Sequence, residues 1–130
     1  MKYISIIVLV LILGACAPAA VPDAPMQNVY VTAEQPLIIN NHLNLLAYPD
    51  SQITSWGEDG KRTRLWFVTP MQLTTIAIYF DSQFLGNSWI REDSNINDEG
   101  SYASGRYSKF GETVNFKLYI RDGSFRLETW

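Results

Sequence analysis

The sequence predicts an α+β fold, an antiparallel β-sheet with one long α-helix packed on one face, and three observations carry that expectation. Leu73, Ile76, Ala77, Phe80 and Phe84 recur at helical spacing and form one apolar stripe. On both sides of this segment, short runs alternate apolar with polar residues at period two, as half-buried strands do. Asp59-Gly60 and Asp122-Gly123 each separate two such runs, and an Asp-Gly pair in that setting signals a hairpin. Strands with one apolar face need a cover, and the single strong helix supplies it.

The N-terminal thirty residues are of a different character. Lys2 gives a short positive start, and residues 4–13 form an apolar run broken only by Ser5. These are the charged and hydrophobic regions of a secretory signal. A run of about ten residues is half the roughly twenty that span a bilayer as a helix. Leu13-Gly14-Ala15-Cys16 follows at once and resembles the lipobox of bacterial lipoproteins. That resemblance implies cleavage between Ala15 and Cys16, a diacylglyceryl group on the Cys16 thiol, and a fatty acyl chain such as palmitate on the new amine. One acyl chain holds a protein to a membrane marginally, whereas two or more hold it stably.

Cys16 is the sole cysteine, so no internal disulfide is available. Residues 17–27 contain three prolines and no aromatic residue, a composition suited to an extended tether. The expected organisation is therefore a signal peptide over 1–15, a lipidated cysteine and tether over 16–28, and one domain over 29–130. Ala17 stands where an aspartate would act as the inner-membrane retention signal of enteric lipoproteins. The expected location is thus extracytoplasmic and lipid-anchored, on the outer membrane facing the periplasm where the host has two membranes.

Within the domain, 29–31 and 37–39 read as short extended pieces and 43–46 as a turn of helix. Strands are expected over 52–56 and 61–68, joined by turn residues at 58–61. Thr69-Pro70 pairs an N-cap residue with a proline suited to the first helical position, which starts the helix there. Gly86-Asn87 offers a left-handed cap at its end, and Gln72, Thr75, Asp81 and Gln83 fall largely on the polar side. A strand over 89–92, a polar loop over 93–100 and strands over 102–110, 113–121 and 124–130 complete a meander, with Gly111-Glu112 and Asp122-Gly123 as turns. In the third of these four strands Val114, Phe116, Leu118 and Ile120 share a face. The Thr-Pro-capped helix with Ile78-Tyr79-Phe80 and Phe84-Leu85, its exit through Gly86-Asn87-Ser88-Trp89 and the meander behind it are similar to a loose group of small bacterial envelope domains, mostly without assigned activity.

Charge and motif content narrow the function classes. Ten basic and thirteen acidic side chains give a net charge of −3, and loss of Lys2 on cleavage together with acylation of the new amine makes it near −4. An acidic domain lacks the basic footprint of a nucleic-acid binder. His42 is the single histidine, and Gly-x-Ser-x-Gly, Ser-x-x-Lys and His-Glu-x-x-His are all absent, so no enzymatic activity and no cofactor are expected. The carboxylate pairs Glu58-Asp59, Glu92-Asp93 and Asp98-Glu99 are adjacent residues that point apart and read as solvated charge. Asp93, Asn95 and Asn97 have the alternate oxygen spacing of a calcium loop, but the sixth position is Asp98 where glycine is needed and the twelfth is Ser104 where glutamate is needed.

Aromatic content remains as the positive signal. Tyr107, Tyr119 and Arg121 are expected on the polar side of their strands, forming a face suited to a protein partner or a sugar polymer. The sequence therefore points to a membrane-anchored, non-catalytic binding or assembly module of the bacterial envelope with a protein partner. A ligand- or glycan-binding lipoprotein with a pocket between helix and sheet is the alternative. The anchor is tested directly: Cys16→Ser abolishes incorporation of a fatty-acid analogue, and label retained on the variant refutes lipidation at Cys16.

Overall fold

The computed structural model describes residues 28–96 and 101–130. The expected signal peptide, cleavage site, Cys16 and tether lie outside the described residues, as does Asn97. Among the described residues there are nine strands and one helix: β1 (Val29–Val31), β2 (Ile38–Asn40), β3 (Leu45–Leu46), β4 (Ser51–Asp59), β5 (Arg62–Val68), α1 (Leu73–Gly86), β6 (Ile90–Asn95), β7 (Tyr102–Lys109), β8 (Glu112–Arg121) and β9 (Ser124–Thr129). Seven strands form one antiparallel sheet in the order β1-β4-β5-β9-β8-β7-β6, and β2 pairs with β3 in a separate hairpin.

The turns follow from backbone chemistry. Phe110-Gly111 and Asp122-Gly123 each have two successive positive φ values, as a two-residue type I′ hairpin turn requires. The β7–β8 turn is thus one residue earlier than Gly111-Glu112. At the β4–β5 turn only Gly60 has a positive φ, and β4 continues through Glu58 and Asp59, which had been expected in the turn.

Helix α1 buries the expected stripe of Leu73, Ile76, Ala77, Phe80 and Phe84 against the sheet. Both of its ends differ from expectation. It begins at Leu73 with Gln72 as N-cap and no side-chain cap, while the Thr69 hydroxyl donates to the Asp50 carbonyl at 3.4 Å. At the other end the left-handed residue is Ser88, at φ 71°. The Trp89 N–H bonds the Phe84 carbonyl at 3.0 Å, the Ser88 N–H bonds the Leu85 carbonyl at 3.1 Å, and the Trp89 and Phe84 rings meet edge-on. This is a Schellman termination with its hydrophobic contact, and it directs the chain into β6.

The β2–β3 hairpin covers the part of the sheet that α1 leaves open. Residues 43–46 are not helical: Asn44 turns at φ 55° and Leu45–Leu46 pair with β2. Ile39, Leu43, Leu45 and Ala47 are buried beside the helix stripe. Gln83 clamps this hairpin to α1 as a strand would, accepting from the Leu46 N–H at 2.6 Å and donating to the Leu46 carbonyl at 2.9 Å. The Trp56 indole and the Tyr79 hydroxyl donate to the Ile39 and Ala47 carbonyls, and Asn40 bonds Gly60 and Thr63 across the base. Buried polar atoms are thereby satisfied, which avoids the cost of leaving them dry and unpaired.

Under the helix the core is an aromatic stack. Phe84 lies parallel to Tyr107 at 4.2 Å between centroids, and Phe116 stacks 6.0 Å from each. Tyr107 is 0% exposed, which corrects its expected place on a binding face. The strand explains the correction: Tyr102, Ser104, Arg106 and Ser108 take the outer side of β7, so Ala103, Gly105 and Tyr107 take the inner one. Gly105 is required there, since a Cβ would lie 2.6 Å from both the Tyr107 hydroxyl and the Phe116 ring.

Asp81, expected among polar outward residues, is buried on this inner face. It accepts from the Tyr107 hydroxyl at 2.6 Å, from Arg91 Nε at 3.0 Å and from Arg91 Nη2 at 2.5 Å. Burial alone raises the Asp81 carboxyl, but the bonds from Arg91 and Tyr107 and the Arg91 charge outweigh it and hold the acid below its usual range. Burial, followed by the neighbouring carboxylate, pushes the Tyr107 phenol far upward. The cluster fastens α1 to β6 and β7 at once.

Two measurements check this packing. Phe80→Ala lowers stability by about 3 to 5 kcal/mol, and an unchanged melting temperature refutes the assigned face. Because the folded Asp81 carboxyl has a depressed pKa, its stabilisation is complete above the ordinary value near 3.9 and is lost as pH falls through the lower folded value. Asp81→Asn costs about 1 to 3 kcal/mol at neutral pH and flattens the acid limb of the stability profile; an unaltered acid limb excludes the role.

Candidate binding face on the open side of the sheet

Alternation along four neighbouring strands builds the second face. In β5, β9, β8 and β7 the inward residues are Thr63, Leu65 and Phe67, then Phe125, Leu127 and Thr129, then Val114, Phe116 and Leu118, then Ala103, Gly105 and Tyr107. Period-two geometry sends the residues between them to the other side. Register then aligns Trp66 with Arg126, Arg126 with Tyr119, and Tyr119 with Tyr102, while Lys117 lies between Glu128 and Ser104. Among the described residues neither the helix nor the β2–β3 hairpin touches this side.

These side chains form a ladder of rings and cations. The Arg126 guanidinium lies 5.2 Å from the Trp66 ring and 5.4 Å from the Tyr119 ring. The Lys117 ammonium lies 4.9 Å from Tyr119 and 4.4 Å from Tyr102. The sequence Trp66, Arg126, Tyr119, Lys117, Tyr102 therefore runs unbroken across four strands, about 14 Å at the usual strand spacing. Glu128 accepts from Arg126 Nε at 2.9 Å and fixes the guanidinium between its two rings. Each exposed cation–ring contact contributes about 0.5 to 1 kcal/mol, and together they restrain side chains that would otherwise be mobile. A shallow depression of about 330 Å³ adjoins the ladder, with Tyr102, Ser104, Arg106, Asn115, Lys117 and Trp130 among its walls.

Of the three residues expected to form a binding face, Tyr119 is at the centre of the ladder. Tyr107 is on the opposite side, inside the core. Arg121 points outward at the far end of β8 with its side chain 83% exposed and pairs loosely with Asp122 at 3.8 Å, away from the ladder. Trp66, Tyr102, Lys117 and Arg126 complete the face. The alternation of Arg64-Leu65-Trp66-Phe67 and of Phe125-Arg126-Leu127-Glu128 marks them as outward residues, but only the β5–β9 pairing brings the two runs together.

This face offers flat rings, fixed cations and amide and hydroxyl groups. Among the described residues no group of three His, Cys, Asp or Glu side chains converges as metal ligands would. Asp93 and Asn95 lie in the edge strand β6, opposite Arg106 and Ser104, so the extended backbone there does not curl into the loop their calcium-like spacing required. His42 is joined to Glu112 at 2.7 Å and ties the β2–β3 turn to β8. Glu58 is likewise engaged by the Asn41 backbone and amide, and Glu92 by the Ser108 hydroxyl. No helix among the described residues is long and apolar enough to cross a membrane. The chain matches no family model, no curated protein and no solved structure.

Proposed function

We propose that this protein is a membrane-anchored, non-catalytic binding module of the bacterial envelope, held extracytoplasmically by lipid on Cys16 and presenting the open face of its sheet to a protein partner. One observation carries the reading: Trp66, Arg126, Tyr119, Lys117 and Tyr102 are held in register on the side of the sheet that the protein's own cover leaves open. Tyr, Trp and Arg are the residues that dominate interface energetics, because they bury large area with few rotors to freeze. Restraint before binding lowers the entropic cost of association. The lipobox supports the anchor, and the absence of catalytic motifs in the sequence supports a contact role.

The alternative of a ligand pocket between helix and sheet is disfavoured by the Phe84, Tyr107 and Phe116 stack, which fills the centre of that interface. A glycan strand lying on the open face is the competing occupant of the same residues. Affinity capture from detergent-solubilised envelopes, run in parallel with capture on polysaccharide, tells the two apart. The Tyr119→Ala, Arg126→Ala double variant removes three of the ladder's cation–ring contacts, which lowers stability by about 1.5 to 3 kcal/mol and leaves the core packing and the fold intact. It weakens the partner by about 2 kcal/mol or more, roughly thirtyfold. Undiminished protein capture by the folded variant refutes this face as the interface, and polysaccharide retention lost in the variant transfers it to the glycan.

A further inference from the structure

Charge is sorted between the two sides of the sheet. The outward positions of β5, β7, β8 and β9 carry Arg62, Arg64, Arg106, Lys117, Arg121 and Arg126 against one carboxylate, Glu128. That is six of the chain's ten basic side chains and one of its thirteen acidic ones, so the open face is basic although the chain as a whole is acidic. Glu128 is already engaged by Arg126. Among the described residues none of Arg62, Arg64, Arg106 and Lys117 is in an ion pair, and the three arginines are exposed.

Four of these cations are grouped about one ring. Trp130 exchanges both backbone hydrogen bonds with Asn115, an outward residue of β8, and its indole therefore lies on the open side, 46% exposed. Two shallow depressions share Trp130 as a wall. Arg106 and Lys117 line the one of about 330 Å³, and Arg62 and Arg64 line the other, of about 200 Å³. Asp93 and Glu128 respectively are their carboxylates, so each holds two cations against one acid. Arg64 and Lys117 stand on either side of Glu128 in register, two strand spacings or about 10 Å apart.

This pattern says what kind of occupant fits. A guanidinium takes a carboxylate through two parallel N–H bonds, and a neighbouring Trp or Tyr ring supplies the area that an interface anchor buries. Register also sets the shape of the charged field. From Arg62 to Arg121 it extends three two-residue steps along the strands, about 20 Å, and across four strands it extends about 14 Å. No row across the sheet and no strand along it holds more than two of the six cations. A polymer laid along a row or a strand meets two of them, whereas a folded acidic surface meets the whole field.

We propose that the partner of the open face is an acidic protein surface, two of whose carboxylates straddle Trp130, one beside Arg106 and Lys117 and one beside Arg62 and Arg64. The assignment rests on the open face being an interface. Carbodiimide condenses a lysine amine with a carboxylate in direct contact, so it records such pairs covalently. Arg64→Lys and Arg106→Lys place an amine on either side of Trp130 and keep the charge. Envelopes isolated from cells that make the full-length variants are treated with carbodiimide, and cross-linked peptides are identified by mass spectrometry. The introduced amines and Lys117 are joined to Asp or Glu of one other protein, while Lys61 and Lys109, which bond the chain's own Thr113 and Asn87 carbonyls, are not. Affinity capture of that protein from solubilised envelopes falls about tenfold in an Arg64→Glu, Arg106→Glu variant, and raised salt weakens it for the unsubstituted chain. Adducts confined to Glu128 and Asp93 of the same chain, or as frequent at Lys61 and Lys109, overturn the proposal. So does an adduct that carries a uronic acid in place of a peptide, which means that a polysaccharide occupies the face. Capture lost in the Tyr119→Ala, Arg126→Ala variant but not on charge reversal overturns the acidic partner and keeps the interface; capture unchanged in both variants refutes the interface itself.

Discussion

The pairing of β5 with β9 is the constraint on which the molecule depends. It joins a hairpin formed before the helix to a meander formed after it, through partners such as Leu65 with Leu127 and Phe67 with Phe125. Because β9 is the last strand of the meander, β6 is left at the far edge, and α1 must cross the sheet to reach it. That crossing places the helix stripe over β6, β7 and β8. A one-residue slip in this pairing would exchange the two faces of either half, setting Trp66 and Arg126 against the core and Leu65 and Leu127 in water.

The two faces that result are finished in opposite ways. The inner one is dense, with parallel rings of Phe84, Tyr107 and Phe116, and its polar groups are each answered by a named partner. Asp81 shows how a charge is accommodated there: Arg91 and the Tyr107 hydroxyl together occupy both of its oxygens. The outer face keeps its aromatic side chains apart and separates each from the next with a cation. Such an arrangement limits self-association of exposed rings while leaving them available, because a ring bordered by ammonium or guanidinium groups does not form a continuous apolar patch.

Sequence by itself determined what short-range chemistry controls. The apolar stripe of α1, the Asp122-Gly123 turn and the inward row of Val114, Phe116 and Leu118 were legible, because each is decided within one turn or one strand. The helix start was misread because Thr69-Pro70 is a good local signal that competes with the actual cap at Gln72. Asp81 lies within the stripe, four residues after Ala77 and three before Phe84, and its position alone marked it as inward; its polarity argued the other way until Arg91 and Tyr107 were seen to satisfy it. Tyr107 was assigned to the wrong side of β7 because Lys109 and Gly105 share its side and make that side look polar. What only the tertiary structure decided was the juxtaposition of Trp66 with Arg126 and of Asp81 with Tyr107. These contacts join residues from 26 to 60 positions apart, and strand pairing and helix crossing, which no local pattern encodes, bring them together.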